Sequence, residues 1–239
     1  MKLSIVVPAF NEERLLADTL GHLRAGMTVC RQQGWGTELV VCDNNSTDRT
    51  AEIARSAGAR VVFEPVNQIA RARNSGARPA VGDWLLFVDA DSSPGEALFY
   101  DMLEAIETGD IVGGGATIEL SGAAPAVRAW VGAWNLLSRT MRWAAGAFLF
   151  CEAAAFRAIG GFNEEFYASE EIDFSRRLKA RYPDRAFVIL HRHPLVTSGR
   201  KAELYSWREH FAFMWRMLTG GTRTLRSRDA CSVWYDGRR

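Results

Sequence analysis

A chain of 239 residues, 48% hydrophobic and 24% charged, can bury a sizeable core in one domain or one and a half. Its formal net charge of +1 argues against a polyanion partner across the whole surface, so nucleic acid is not expected. Cys30, Cys42, Cys151 and Cys231 match no metal or redox spacing, no apolar run reaches membrane-spanning length, and Met1-Lys2 leads straight into a strand-like run. A cytoplasmic protein with reduced thiols and no leader is expected, soluble or peripheral at the inner face of the membrane.

Leu3-Ser4-Ile5-Val6-Val7-Pro8 reads as a buried strand. After Ala9-Phe10, Asn11 has the chemistry of a helix N-cap, and Glu12 and Glu13 suit the positive first turn. Leu15, Leu16, Leu20 and Leu23 give that helix an apolar face. A second strand, Glu38 to Cys42, ends at Asp43-Asn44-Asn45-Ser46-Thr47-Asp48. A short helix through Ile53 and Ala54 stops at Gly58, and Arg60 to Glu64 forms a third strand. This rhythm predicts a parallel sheet with helices on both faces, whose ligands bind beyond the carboxyl ends of the strands. Pro8, Ala9, Phe10 and Asp43 fall on that rim. The first turn, Pro-Ala-Phe-Asn, is neither a Gly-x-Gly-x-x-Gly fingerprint nor a P-loop. Asp43 has two readings: an acceptor for a base or ribose, or an Asx turn capping the next helix.

Gln68 to Ala77 reads as a helix with Arg71 and Arg73 on different faces. Gly76 within it costs ~1 kcal/mol relative to Ala, which implies close packing. The apolar strand Trp84 to Val88 then ends in Asp89-Ala90-Asp91, followed by Ser92-Ser93-Pro94. Period-2 geometry points both carboxylates the same way, where they repel unless a cation lies between them. Hard ions such as Mg²⁺ and Mn²⁺ take such ligands and complete their shells with waters and substrate phosphates. Two solvated turn aspartates are the alternative, since Asp-x-Asp alone is a weak signal.

Pro94 to Thr108 reads as a helix with Leu98, Met102, Leu103 and Ile106 inward. Ile111 to Thr117 is a strand whose three glycines imply a bulge, a turn or close approach to a ligand. From Ala124 to Ala145, Val127, Trp130, Val131, Trp134, Leu137 and Met141 recur at helical spacing, with Arg128, Arg139 and Arg142 elsewhere on the wheel. Such a helix suits core, an oligomer contact, a membrane surface or a lipid-linked acceptor. Gly146 to Phe150 is a strand, and Glu152 to Ile159 a short helix ended by Gly160-Gly161. Ser169 can cap a helix whose first turn carries Glu170, Glu171 and Asp173. Phe187 to Leu190 is a last buried strand, followed by His193 and by Arg200 and Lys201. Leu204 to Leu218 is an amphipathic helix suited to packing on the domain, on a second subunit or on a membrane, and the basic tail is rich in turn residues.

Four segments resemble, in order and spacing, the family 2 glycosyltransferases with the GT-A fold. They are Ser4-Ile5-Val6-Val7-Pro8-Ala9-Phe10-Asn11-Glu12-Glu13, Val41-Cys42-Asp43-Asn44-Asn45-Ser46-Thr47-Asp48, Ala72-Arg73-Asn74-Ser75-Gly76 and Asp89-Ala90-Asp91. The resemblance implies an α/β fold, a Rossmann-like α/β/α sandwich with a mostly parallel central sheet. It implies one domain over residues 1–218, with a nucleotide-sugar-binding half (1–94) and an acceptor and catalytic half (95–218), then a basic tail (219–239). Pro8, Ala9, Phe10 and Glu12 would line the nucleotide pocket, Asp43 would hydrogen-bond the base, and Arg73 and Asn74 would lie near the nucleoside. Asp89 would approach the ribose or the metal, and Asp91 would ligate a Mg²⁺ or Mn²⁺ bridging the diphosphate of a UDP- or GDP-sugar. His193 is the candidate for a third metal ligand, with a rim histidine of no metal role as its other reading. Arg200 is the candidate to hold the diphosphate; the alternative is that Arg200 and Lys201 are two ordinary surface cations.

Gly160-Gly161-Phe162-Asn163-Glu164 and Glu170-Glu171-Ile172-Asp173-Phe174 resemble the family's element that carries the catalytic base of its inverting members. Glu170-Glu171 stands where Glu-Asp is usual. Glu171 is the expected base, Glu170 the second candidate, and Asp173 a structural acid. The Gln-x-x-Arg-Trp motif and membrane helices of processive members are absent, which implies a non-processive enzyme adding one sugar. The acceptor stays open among lipid-linked, glycan and small-molecule hydroxyls, and a homodimer is compatible with the apolar helices. Two alternatives stand beside this reading. One is a nucleotidyltransferase, whose basic Gly-rich first loop the chain lacks; the other is a nucleotide-binding scaffold without turnover.

Overall fold

The computed structural model describes residues 1–122, 124–198 and 222–231. Arg200, Lys201 and the amphipathic segment Leu204 to Leu218 lie outside the described residues, as does most of the basic tail.

The first half builds a parallel sheet. β1 (Lys2–Ala9) lies between β2 (Gly36–Asp43) and β4 (Trp84–Val88), and β3 (Arg60–Phe63) flanks β2, all four parallel. The second half extends the same sheet from β4. β7 (Phe148–Glu152) pairs antiparallel with both β4 and β6 (Ile111–Ser121), β8 (Ala186–Ser198) runs parallel to β6, and the short β5 (Ser92–Ser93) closes the far edge antiparallel to β8. The order among the described residues is β3-β2-β1-β4-β7-β6-β8-β5, with only β5 and β7 running against the rest. The sheet is therefore mostly parallel, as the sequence implies.

Alternation along β1 divides the core. Leu3, Ile5 and Val7 face α1 (Leu16–Gln32) and α4 (Glu96–Thr108), where Leu16, Leu20, Leu23, Phe99 and Met102 are buried. Val6 faces the other layer, formed by α3 (Ile69–Ala77), α6 (Ala153–Ala158) and α7 (Glu170–Arg181) with Phe156, Phe162, Phe174 and Leu178. The short α2 (Thr50–Ser56) follows β2, α5 (Pro125–Met141) packs on β6 and β8, and α8 (Thr222–Leu225) adds Leu225 to a small cluster with Phe166.

Close packing explains the glycines singled out in the sequence. A Cβ on Gly76 would fall 2.5 Å from Val6 Cγ1, which presses α3 onto β1. In β6, Cβ atoms on Gly113 and Gly114 would meet the Phe150 and Val188 carbonyl oxygens at 2.7 and 2.5 Å. That run admits neighbouring strands, and the ladder to β8 slips beside it.

Several element ends differ from expectation. Asn11 is not the cap of α1: its φ is 52° and its Oδ1 accepts from Thr47 N at 2.8 Å, so it ties two loops together and the helix begins at Leu16. Ser169 has φ 60° and makes no side-chain cap; its carbonyl accepts from Ile172 and Asp173 instead. β8 runs far past Leu190, spending residues 190 to 195 where β6 spends 116 to 118, so His191 to Pro194 bulge out of the ladder.

Candidate active site

The carboxyl ends of β1 and β2 meet in register, Ala9 opposite Asp43, and Asn44 N donates to Ala9 O at 2.8 Å. Pro8 lies one step back, opposite Cys42, while half-buried Phe10 and buried Glu12 follow β1. The two loops are knitted together. Asn11 N donates to Ser46 Oγ at 3.0 Å, Glu12 N to Thr50 Oγ1 at 2.8 Å, and Glu13 N to Asp48 Oδ2 at 3.1 Å. Asp43 is buried, and its Oδ1 accepts from Ser46 N at 3.0 Å, the Asx turn foreseen as one of its two readings. One carboxylate oxygen of Asp43 thus shapes the rim.

Three polar residues not singled out from the sequence brace this rim. Asn44 Oδ1 accepts from Gln68 N at 2.9 Å, and Gln68 Nε2 donates to the carbonyls of Glu164 at 2.6 Å and Phe166 at 3.0 Å. Glu64 is buried and receives Ser75 Oγ at 2.6 Å and Arg71 Nε at 3.1 Å. Burial works against its charge, yet the hydrogen bonds from Ser75, Val66 and Arg71 hold its carboxyl below the usual range. The only local hint was polarity inside an otherwise apolar strand–helix alternation.

At the centre lies Arg73, 2% exposed in α3. Its Nη1 donates to Glu170 Oε1 at 2.5 Å, and its Nη2 to Asp89 Oδ1 and to the Gly146 carbonyl, each at 3.0 Å. Its guanidinium carbon stands 5.2 Å from the Phe162 ring centroid. A Cβ on Gly146 would lie 2.8 Å from Arg73 Nη2 and 3.5 Å from the Glu171 carboxyl carbon, so Glu171 closes the same group. Arg73 is thus buried beneath Asp89 and Glu170. Neighbouring Asn74 clamps the glycine-rich turn: its Oδ1 accepts from Phe162 N and its Nδ2 donates to Phe162 O, both at 2.9 Å, and to Glu164 Oε1 at 3.0 Å. Asp173 pairs with Arg177 at 2.6 Å as a structural acid, and Arg177 holds the Ile159 and Gly161 carbonyls.

Burial sets the charge states. It raises the Glu170 carboxyl, against the pull of Arg73. Burial, with Glu170 beside it, pushes Glu171 up to about 8. Glu170 is sealed at 3% exposure on Arg73, whereas Glu171 keeps part of its surface open. Of the pair, Glu171 is the more exposed residue.

Asp89 and Asp91 flank buried Ala90 just beyond β4, and the Asp91 carbonyl accepts from Ser198 N at 3.2 Å. Asp89 commits one oxygen to Arg73. Among the described residues no group of three His, Cys, Asp or Glu side chains is gathered to hold a metal ion. Two half-exposed carboxylates on a strand end nonetheless fit Mg²⁺ or Mn²⁺ when phosphates and water complete the shell. His193 is not brought to this pair. Its Nδ1 meets Asp101 Oδ2 of α4 at 3.0 Å, inside the bulge of β8. Even Leu195, the nearer end of that bulge, is roughly 10 Å along the strand from Ser198. Among the described residues no helix is long and apolar enough to cross a membrane.

The model of the family described as Glycosyl transferase family 2 matches residues 4–157. Validoxylamine A glucosyltransferase of Streptomyces hygroscopicus subsp. limoneus is 36% identical over 109 residues, 43% of this chain and 23% of that protein. Dolichol-phosphate mannosyltransferase of Pyrococcus furiosus is 30% identical over 117 residues, 46% of this chain and 31% of that protein. The chain thus spans about a quarter to a third of the length of these curated relatives. Two solved structures share the fold. S. aureus TarS 1-349 in complex with UDP-GlcNAc has a TM-score of 0.66 at 20% identity, over 94% of this chain and 67% of that one. The mannosyltransferase PcManGT from Pyrobaculum calidifontis, in complex with GDP-Man and Mn²⁺, has a TM-score of 0.67 at 17% identity, over 94% and 62%. With most of β1, all of β2 to β7 and Asp89-Ala90-Asp91 inside the matched span, the chain belongs to glycosyl transferase family 2 and has the GT-A fold.

Proposed function

We propose that the protein is a glycosyltransferase that moves one sugar from a UDP- or GDP-sugar to an acceptor hydroxyl, with a divalent cation and with inversion. The observation that carries this reading is Arg73, one buried guanidinium that holds Asp89 of the donor side and Glu170 of the base-bearing helix. Two motifs 81 residues apart in the chain form one charged assembly at the strand ends. Family membership supports the reaction class, and the nucleotide sugars in the TarS and PcManGT complexes support the donor class.

In this reading the rim of Pro8, Ala9, Phe10 and Glu12 receives the nucleoside, with the remaining oxygen of Asp43 towards the base. Asp89 and Asp91 would hold Mg²⁺ or Mn²⁺, and the ion's charge would offset what develops on the departing diphosphate. Arg73 and Asn74 hold Asp89 and the glycine-rich turn in place, a role behind the nucleoside and not against it. Glu171 takes the proton from the acceptor hydroxyl as that oxygen bonds to the anomeric carbon and the bond to the diphosphate breaks. Its raised carboxyl suits a base working near neutral pH. Arg200 belongs to the diphosphate side on sequence grounds, and His193 to the α4 pairing.

The test is release of UDP or GDP from a panel of sugar nucleotides with Mn²⁺, read for the native protein and for Glu171→Gln and Glu170→Gln. Turnover of one donor that Glu171→Gln removes while nucleotide binding persists is expected. Nucleotide binding without turnover of any donor, whatever acceptor is offered, would favour the scaffold reading.

A further inference from the structure

Helix α5 is turned inside out for a surface helix. Trp130 is 62% exposed, Leu136 67%, Leu137 44% and Met141 43%, whereas its inward side buries little beyond Val131 and Ser138. Asn135, not an apolar side chain, anchors it, receiving Ile118 N at 3.0 Å and donating to Ile118 O at 2.9 Å. Trp130, Leu137 and Met141 stand at i, i+7 and i+11 and so form one outward stripe, with half-buried Trp134 on its edge. Exposed Arg128 and Arg139 lie on the opposite flank, and no Asp or Glu occurs between Glu119 and Glu152.

The positive charge concentrates at the end of the helix. Exposed Arg142 follows it, Lys179 Nζ donates to Met141 O at 2.6 Å, and the Arg176 guanidinium stands 5.5 Å from the Trp143 ring centroid. Burial, with Arg142 and Arg176 nearby, holds the Lys179 ammonium below its usual range, as expected where cations crowd. From there the chain runs into the site. Ala144 N donates to Ser175 Oγ at 3.2 Å, Ser175 Oγ donates to Glu171 O at 2.7 Å, and Gly146 O accepts from Arg73.

We propose that α5 docks on the surface of an anionic bilayer through Trp130, Leu137 and Met141, with Arg128, Arg139 and Arg142 at headgroup level. Exposed Trp beside apolar side chains on a helix with basic residues and no acidic ones matches that surface. A symmetric contact between two copies of α5 would cover the apolar stripe but leave Arg128, Arg139 and Arg142 without a counter-charge, because neither helix carries an acid. Resting on the assignment of Glu171 as base, docking also names the acceptor class: a membrane-borne amphiphile whose hydroxyl lies at headgroup level, next to the loop that joins α5 to Gly146.

The experiment is co-sedimentation of the full chain with vesicles of equal parts phosphatidylglycerol and phosphatidylcholine, against pure phosphatidylcholine. Binding to the anionic vesicles that weakens with added salt is expected, as is a loss of roughly tenfold or more in the Trp130→Ser/Leu137→Ser double variant. Arg128→Gln/Arg139→Gln should lower the affinity and flatten the salt dependence. Both pairs are exposed, and unchanged melting and nucleotide binding check that each variant is folded. Absence of vesicle binding would overturn the proposal, and so would binding that the Trp130/Leu137 pair does not affect. A dimer in sedimentation velocity that the same pair dissolves, without vesicle binding, would overturn it as well. Nucleotide binding is read without vesicles, so docking can fail while the transferase reading stands, and the reverse.

Discussion

Glu171 and Glu170 are adjacent carboxylates with opposite surroundings. Glu170 is sealed against Arg73, and Glu171 is partly open with its carboxyl raised to about 8. For Glu171→Gln, nucleotide affinity should stay within error while transfer falls by roughly 10²–10⁴-fold, checked by calorimetry and by nucleoside diphosphate release. The base works as the carboxylate, so a raised value means loss of rate on acidification. The rate should climb with pH around a midpoint of about 8 and level above it. A rate independent of pH across that range would remove Glu171 from the proton transfer. Glu170→Ala tests something else: it removes the sealed partner of the buried Arg73 guanidinium and leaves its charge to Asp89 and Glu171. Breaking such a pair from one side costs roughly 3–5 kcal/mol, read as a lower urea midpoint. The sequence could name both glutamates, because acids in a helix's first turn are a local pattern. Their ranking rested on the resemblance alone, because the group that sets them apart, Arg73, lies 97 residues from Glu170 in the chain.

At the level of elements, the fit of α3 on β1 is a test of packing. Gly76→Ala places a methyl 2.5 Å from Val6 Cγ1 and should destabilise the fold by roughly 1–3 kcal/mol, measured by urea unfolding, with partial recovery when Val6→Ala is added. The existence and type of most elements were legible, but the two-residue β5 and the short α8 in the basic tail were not. Alternating strands and helices, the stop at Gly58 and the turn at Gly160-Gly161 are local signals, and these glycines have φ of 69°, 75° and 71°. Element starts were less legible. Asn11 and Ser169 are both good caps by chemistry, yet each adopts a left-handed backbone, and the Asn11 side chain serves a neighbouring loop. The triple glycine in β6 was ambiguous for a similar reason. What crowds it, the Phe150 and Val188 carbonyls, comes from strands distant in sequence. The outward stripe of α5 could be drawn on a wheel but not oriented, because periodicity shows that a face exists and not what it meets.

Among the described residues one sheet passes through both halves, and the Asp89-Ala90-Asp91 segment and the Glu170-Glu171 pair meet on Arg73 where β4 ends and α7 begins. The parallel first half was readable from its rhythm. The second half was not, because β7 enters antiparallel between β4 and β6, a pairing no local pattern encodes. The most direct measurement is calorimetric titration of UDP and GDP, each with and without Mn²⁺, on the native chain and on Asp91→Ala. One nucleotide should bind, with affinity that depends on Mn²⁺ in the native chain and loses that dependence in a folded Asp91→Ala variant. Binding of neither nucleotide to a folded native chain, or metal-dependent binding that survives Asp91→Ala, would contradict the assignment of this site.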